Sequence, residues 1–366
     1  MKKNLTDCIQ DKDLKTIAEK VESEIPVNKE DAMLMLHTKE ILDLGTIANH
    51  IRKKLHNDNT YYGVTMNLNY TNICELRCPL CAFSKDKGHD QAYTLSMEEA
   101  RKRVQKASEF GIDEVHIVGG LNPELKLNYF EDLLKTIKQV NPDLFIVAFT
   151  AVEYDYFAKI NNIPIETVFK RLIKAGLGAI PGGGAEIFSP ETRKKLAPKK
   201  ISGEQWLEVM RKAHLLGLKT NATMLYNHIE SNEEIVDHLF KLRELQEQTK
   251  GFKTFVPLSF HPDNTEIKIP TRISSGINDI RIFATSRIVL YNIEHIKALW
   301  MYLGEKMAQI LLFFGVDDFA ATYHYEKVVH AAGAKTPDYG TEAFLINLIK
   351  NAQLKPIRTR SDYLNV

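Results

Sequence analysis

Three thiols stand within eight residues, in the run Cys74-Glu-Leu-Arg-Cys78-Pro-Leu-Cys81, and Cys8 is the only other cysteine in the chain. Neighbours this close cannot all pair with one another, so the run reads as metal ligands in a reducing compartment rather than as a disulfide framework. Two metal chemistries fit. Three thiolates can hold three irons of a [4Fe-4S] cubane and leave the fourth iron open to a chelating ligand. Alternatively, His89 could complete a Cys3His set around a structural zinc. A fully ligated electron-transfer cluster would need a fourth cysteine nearby, and there is none.

Further segments carry groups able to seat a ligand. Gly119-Gly120 either ends a strand or lets backbone approach a bound molecule closely. Pro181-Gly-Gly-Gly184-Ala-Glu186-Ile-Phe188 sets Gly183 beside the Glu186 carboxylate. No Gly-Lys-Ser/Thr follows, so it is not a phosphate loop, and Glu186 suits a ribose hydroxyl instead. Glu153, in Phe149-Thr-Ala-Val-Glu153, and Asn221, Thr223 and Glu230 all fall near strand ends. So does His261, lodged before Pro262 in Phe260-His-Pro-Asp-Asn-Thr265. A lone histidine is usually structural or solvated, but one at a strand end on a catalytic face can meet substrate.

These residues need a frame that brings strand ends together. Residues 11 to 57 read as helical, an N-terminal lead-in over 1–60. From residue 64 short apolar strands alternate with amphipathic helices. Strands are expected at 64–70, 113–118, 144–148, 177–180, 218–225 and 254–258, with weaker signals at 296–300 and 312–316. Helices are expected at 97–110, 129–140, 165–175, 203–216, 232–248 and 277–291, the first capped by Ser96 with Glu99 at the box position. Alternation without hairpin signals points to a parallel sheet. No nucleotide-type Gly-x-Gly-x-x-Gly follows the first strand, so the expected fold is α/β, a (β/α)8 TIM-like barrel over 61–366 with a C-terminal extension. The cysteine run then follows the first strand, on the face where catalytic groups collect.

Composition narrows the partners. The 48 basic and 47 acidic residues leave a formal charge of +1, with no basic face for nucleic acid. Met1-Lys2-Lys3 opens like a signal peptide, but residues 4–13 are polar and supply no apolar core to follow it. No apolar run reaches membrane-span length, and a cytoplasmic protein is expected.

The run Cys-x3-Cys-x2-Cys followed by an aromatic, here Phe83, resembles the signature of the radical S-adenosylmethionine (SAM) superfamily. Further stretches resemble the aminofutalosine synthases of menaquinone biosynthesis: His116-Ile-Val-Gly-Gly-Leu-Asn-Pro123, Ala148-Phe-Thr-Ala-Val-Glu153, 181–188, Thr220-Asn-Ala-Thr-Met-Leu-Tyr226 and 260–265. The resemblance implies a [4Fe-4S] cluster on Cys74, Cys78 and Cys81. It also implies SAM contacts from Phe83, Gly119, Gly120, Glu153, Gly183, Glu186, Asn221 and Thr223. SAM would be consumed: its adenosyl radical would add to the enolpyruvyl double bond of 3-[(1-carboxyvinyl)oxy]benzoate, and rearrangement and decarboxylation would give 6-amino-6-deoxyfutalosine. His261, Arg287 and His324 are candidates for the substrate carboxylates. An electron donor such as flavodoxin or ferredoxin is implied, and a homodimer stays open. Two departures from the family pattern are visible: Asn227 where a Gly-x-x-Glu would have glycine, and Asp317-Asp-Phe-Ala-Ala-Thr322 for Asp-Asp-Leu-x-Gly-Thr. The sister cyclase, which abstracts hydrogen and follows its third strand with Phe-Ser-Pro-Pro-Glu, and a non-catalytic zinc-stabilised barrel are the alternatives.

Overall fold

Four helices of the strand–helix alternation begin with the same local device. Ser96, Thr150, Ser202 and Ser231 each accept from the backbone N–H three residues on, and Glu99, Glu153, Gln205 and Glu234 reach back to the cap N–H. Each such cap is worth ~1 kcal/mol and sets where the helix begins. The computed structural model describes residues 4–269, 276–337 and 339–364, so Met1-Lys2-Lys3 lies outside the described residues.

The strands are β1 (Asn59–Gly63), β2 (Thr65–Leu68), β3 (Glu114–Ile117), β4 (Phe145–Ala148), β5 (Ala179–Ile180), β6 (Lys219–Tyr226), β7 (Phe252–Ser259), β8 (His295–Ile296), β9 (Asp318–Ala321) and β10 (Lys355–Arg358). Seven of them, β2 to β8, form one parallel sheet in sequence order, curled as a half-barrel with helices outside. A smaller parallel sheet runs β10-β1-β9. The segment 317–324 spans the gap between the two edges of the large sheet. Ala298 N–H donates to Asp318 O (2.9 Å) on the β8 side, and on the β2 side Asn67 N–H donates to His324 O (2.7 Å).

The expected strand at 312–316 is therefore corrected. It is a turn after the helix Glu305–Leu311, because Gly315 takes φ +101°, and the strand follows at β9. The expected seventh strand is only His295–Ile296, and Trp300 opens a short helix. β1 and β10 were not foreseen.

Helices Lys12–Glu22, Lys29–His37 and Ile41–His56 make up the N-terminal part. Leu44, Ile47 and Ala48 are buried, and Arg52, fully buried, donates to the carbonyls of Val316, Asn57 and Asn59. That side chain ties the helical part to β1 and to the turn before β9. No described helix is long and apolar enough to cross a membrane.

Candidate active site

The cysteine run leaves the C-terminal end of β2 and is pinned on both flanks. Cys74 N–H donates to Lys85 O (3.1 Å), Glu75 N–H to Leu121 O (3.1 Å) and Leu80 N–H to Leu196 O (3.2 Å). Within the loop Cys81 N–H donates to Cys78 O (2.9 Å), and Arg77, at φ +43°, donates to Ser84 O. All four cysteines are free thiols. Cys8 is exposed on a 3-10 turn, whereas Cys74, Cys78 and Cys81 line one cavity of about 370 Å³. Burial pushes the Cys78 thiol up to about 11, with Lys200 opposing. His89 is exposed and outside the cavity wall, so it does not complete a zinc set with them.

The glycine pair is packed against this loop. A β-carbon on Gly120 would lie 2.2 Å from Ile73 O and 3.0 Å from Cys74 Cβ, and one on Gly119 would meet the Tyr70 ring at 2.6 Å. The missing side chains make room for the Tyr70 ring and for the start of the cysteine loop, a structural demand beside the ligand-facing role that the resemblance implies. Glu153 caps the helix Ala151–Asn161 and braces the same region. Its carboxylate accepts from Thr150 N–H (2.7 Å), Tyr70 O–H (2.8 Å) and Gly119 N–H (3.2 Å). Burial pushes its pKa up to about 7 against those three donors.

The Gly182–Gly184 loop is braced rather than slack. Trp206 Nε1–H donates to Gly183 O (3.1 Å), Arg193 to Gly184 O (2.9 Å), and Thr223 Oγ1–H to Gly182 O (2.7 Å). A β-carbon on Gly182 would lie 2.3 Å from Asn221 O, so the loop and β6 touch backbone to backbone. Glu186 follows at φ +48° and pairs with Lys200 at 2.5 Å on the cavity wall, the carboxylate buried and the lysine half-buried. Burial would neutralise both groups, but their mutual attraction prevails: the Glu186 pKa is lowered, and the Lys200 pKa is raised with help from the cysteine thiols. Arg193 and Lys200 were missed from sequence, because nothing in their spacing marks a basic residue as turned inward.

Of the expected site residues, Cys74, Cys78, Cys81, Phe83, Gly119, Gly120, Glu153, Gly183, Glu186, Asn221, Thr223 and His261 all line the cavity. His261 Nε2 also lies 2.9 Å from Tyr302 O. Two expected residues, Arg287 and His324, lie outside it. Arg287 is fully buried elsewhere, donating to Gly315 O (2.7 Å), Glu294 O (2.9 Å) and the Asp317 carboxylate, beside His295 and His56. It lies outside the cavity wall. The His324 ring stacks between Phe110 and Tyr339, with centroids 4.7 and 4.8 Å away, outside the cavity. Glu230 likewise turns away, accepting from Asn227 and His228 N–H at 2.6 and 2.8 Å. Asn227 holds φ +65° there, a conformation asparagine tolerates well, so the departure from glycine is absorbed.

Comparisons with known proteins agree with this geometry. Residues 68–242 match the Radical SAM superfamily and residues 249–365 the CofH/MqnC C-terminal region. The chain is 38% identical over 361 residues to an aminodeoxyfutalosine synthase of Thermus thermophilus, covering 98% of this chain and 97% of that one. It is 37% identical over 320 residues to a 5-amino-6-(D-ribitylamino)uracil–L-tyrosine 4-hydroxyphenyl transferase of Methanopyrus kandleri, covering 86% and 87%. The fold is shared with the FeFe-hydrogenase maturase HydG of Carboxydothermus hydrogenoformans (TM-score 0.77, 16% identity, 96% of this chain and 80% of that one). It is also shared with methylornithine synthase PylB (TM-score 0.75, 16% identity, 94% and 98%). A thiol loop at the mouth of a half-barrel and full-length relatives together place this chain in the radical SAM superfamily, as an enzyme of the family that includes the aminodeoxyfutalosine synthases.

Proposed function

We propose that this enzyme is an aminodeoxyfutalosine synthase, joining the adenosine of SAM to 3-[(1-carboxyvinyl)oxy]benzoate with loss of a carboxylate. The observation that carries the reading is the match to synthases along nearly the whole chain, at 38% and 34% identity over 98% and 95% of its length.

The residues present fit the family's cofactors. Ligands of a single tetrahedral zinc would bring their sulfurs to within about 3.8 Å of one another, whereas thiolates on separate cubane irons stand farther apart. Among the described residues, the one set of three candidate ligands drawn within 4.8 Å is His56, His295 and Asp317, so the three thiols are spread more widely than a single ion needs. Arg287 already occupies the Asp317 carboxylate of that set, which makes it a core ion-pair network. Cys74, Cys78 and Cys81, which all line the cavity, would hold three irons of the cluster. When bound, the cluster and SAM supply a 5′-deoxyadenosyl radical.

The chain's own residues then bind, orient and exclude. Lys200 keeps its proton and its charge beside the thiols, and Glu186 stays ionised against it. Leu76, Leu121, Val152, Leu225, Val256 and Leu258 form apolar wall, which keeps water from a reactive centre. At the far end Ser361 closes on Glu114 through N–H and O–H bonds, both 2.7 Å. The physical task is to hold the alkene within near-attack distance, ~3–3.5 Å, of the carbon it must meet.

The 4-hydroxyphenyl transferases, similar over 84–92% of this chain, are the second reading. Two anaerobic incubations with reductant and SAM decide between them, one with the enolpyruvyl benzoate and one with L-tyrosine plus 5-amino-6-(D-ribitylamino)uracil. The synthase reading expects an adenosine–benzoate adduct in the first and no coupled product in the second; the reverse pattern overturns it.

A further inference from the structure

Five polar atoms on the cavity wall lack a hydrogen-bond partner among the described residues. They are Thr65 Oγ1 and Asn67 Oδ1 on β2, Asn69 Oδ1 just beyond it, His116 Nδ1 on β3 and Asn221 Oδ1 on β6. An unpaired buried polar atom costs ~1–3 kcal/mol, so a wall carrying several is made for something that pairs them. Two of the five stand side by side. Asn67 and His116 are register partners in the β2–β3 ladder, and both line the cavity.

Their depth is informative. Inward positions repeat every second residue along a strand, so the wall is layered. Asn69 and Val118 form the layer next to the cysteine loop and Gly119, and Thr65 and Glu114 form the layer at the far end, where Ser361 closes on Glu114. Asn67 and His116 lie between them. A substrate whose alkene must meet the adenosyl group at the cysteine end extends its aromatic ring away from that end, toward this middle layer.

The charge there is balanced, with Lys253 and Lys297 set against Glu114 and Asp318. Burial, with Lys297 and Lys253 nearby, pushes His116 down to about 4, so the imidazole is neutral near pH 7 and offers one N–H. Lys297 pairs with Asp318 at 3.2 Å, Lys253 donates to Ser361 O, and Glu114 is satisfied by Ser361. The amide of Asn67 can present its NH2 as readily as its oxygen.

We propose that Asn67 and His116 form the subsite for the ring carboxylate of the substrate, each donating one hydrogen bond to it. This rests on the synthase reading and names the residues that would select a benzoate over an uncharged phenyl group.

The test uses anaerobically reconstituted full-length enzyme and two ligands, the enolpyruvyl benzoate and phenyl enolpyruvyl ether, which lacks the ring carboxylate. The parent should bind the benzoate about tenfold or more tighter than the phenyl ether, the worth of one hydrogen bond to a charged group. H116A and N67A should bind both ligands with similar, weak affinity, while their iron content and SAM Kd stay at parental values. H116Q, which restores an N–H donor, should recover most of the preference and guards against a merely misfolded variant. Parental preference for the benzoate in H116A and N67A overturns the proposal and leaves the synthase reading standing. Failure of the parent to turn over the benzoate at all overturns the synthase reading and, with it, this subsite.

Discussion

Single residues divide cleanly into those that face the cavity and those that hold it in place. Cys8 sits exposed on a 3-10 turn, away from the cavity wall, so C8S should leave reconstituted iron and sulfide unchanged. C78S, by contrast, should lose most of both, and iron and sulfide analysis after anaerobic reconstitution compares the two. Gly120 demands a different expectation from the one its motif alone suggests. A methyl group there meets backbone at 2.2 Å, and backbone cannot swing aside as a side-chain tip can. G120A should therefore displace the cysteine loop, lowering iron retention and costing ~1–3 kcal/mol in a denaturation midpoint. An unchanged midpoint with only SAM affinity reduced would return the pair to a ligand-facing role.

Elements explain why the substrate candidate Arg287 lies away from the cavity. Arg287 lies on the helix Gly276–Val289, buried along almost its whole length, and its guanidinium neutralises Asp317 just before β9. Removing one partner of a buried pair strands the other charge, so R287M should cost ~3–5 kcal/mol in urea denaturation. In the folded variant the KM for substrate should be unaffected; a raised KM at parental stability would reinstate it as a ligand. The strand–helix alternation and the Ser96–Glu99 capping box were legible in the sequence because period and cap are local properties. The cavity-lining residues at strand ends were legible because a parallel barrel gathers those ends on one face. Long-range pairing was not legible. β1 finds β10 almost 300 positions later and β9 lies beyond a glycine turn, contacts that no window of sequence contains. Lys200 escaped for the same reason: its partner Glu186 is near in sequence, but the cavity that both face is assembled by distant strands.

At the scale of the whole molecule, the half-barrel has one end filled by the cysteine loop and the other stoppered by 359–364. Thr359 N–H donates to Tyr62 O (2.9 Å), Ser361 binds Glu114, and Tyr363 O–H donates to Asp318 (2.7 Å) while its ring stacks on His295. Removing residues from Ser361 onward should open the far end to water. Amide exchange in β3 should quicken, and a larger share of SAM should be cleaved without coupled product; unchanged exchange in β3 would mean the segment seals nothing. The fate of the adenosine separates a synthase from a hydrogen-abstracting enzyme. With reduced cluster, the enolpyruvyl benzoate and SAM labelled with 13C in its ribose, mass spectrometry should find the label in an adduct with the aryl group that has lost one carboxylate. Stoichiometric labelled 5′-deoxyadenosine with no adduct would contradict the account and make this chain a hydrogen-abstracting enzyme.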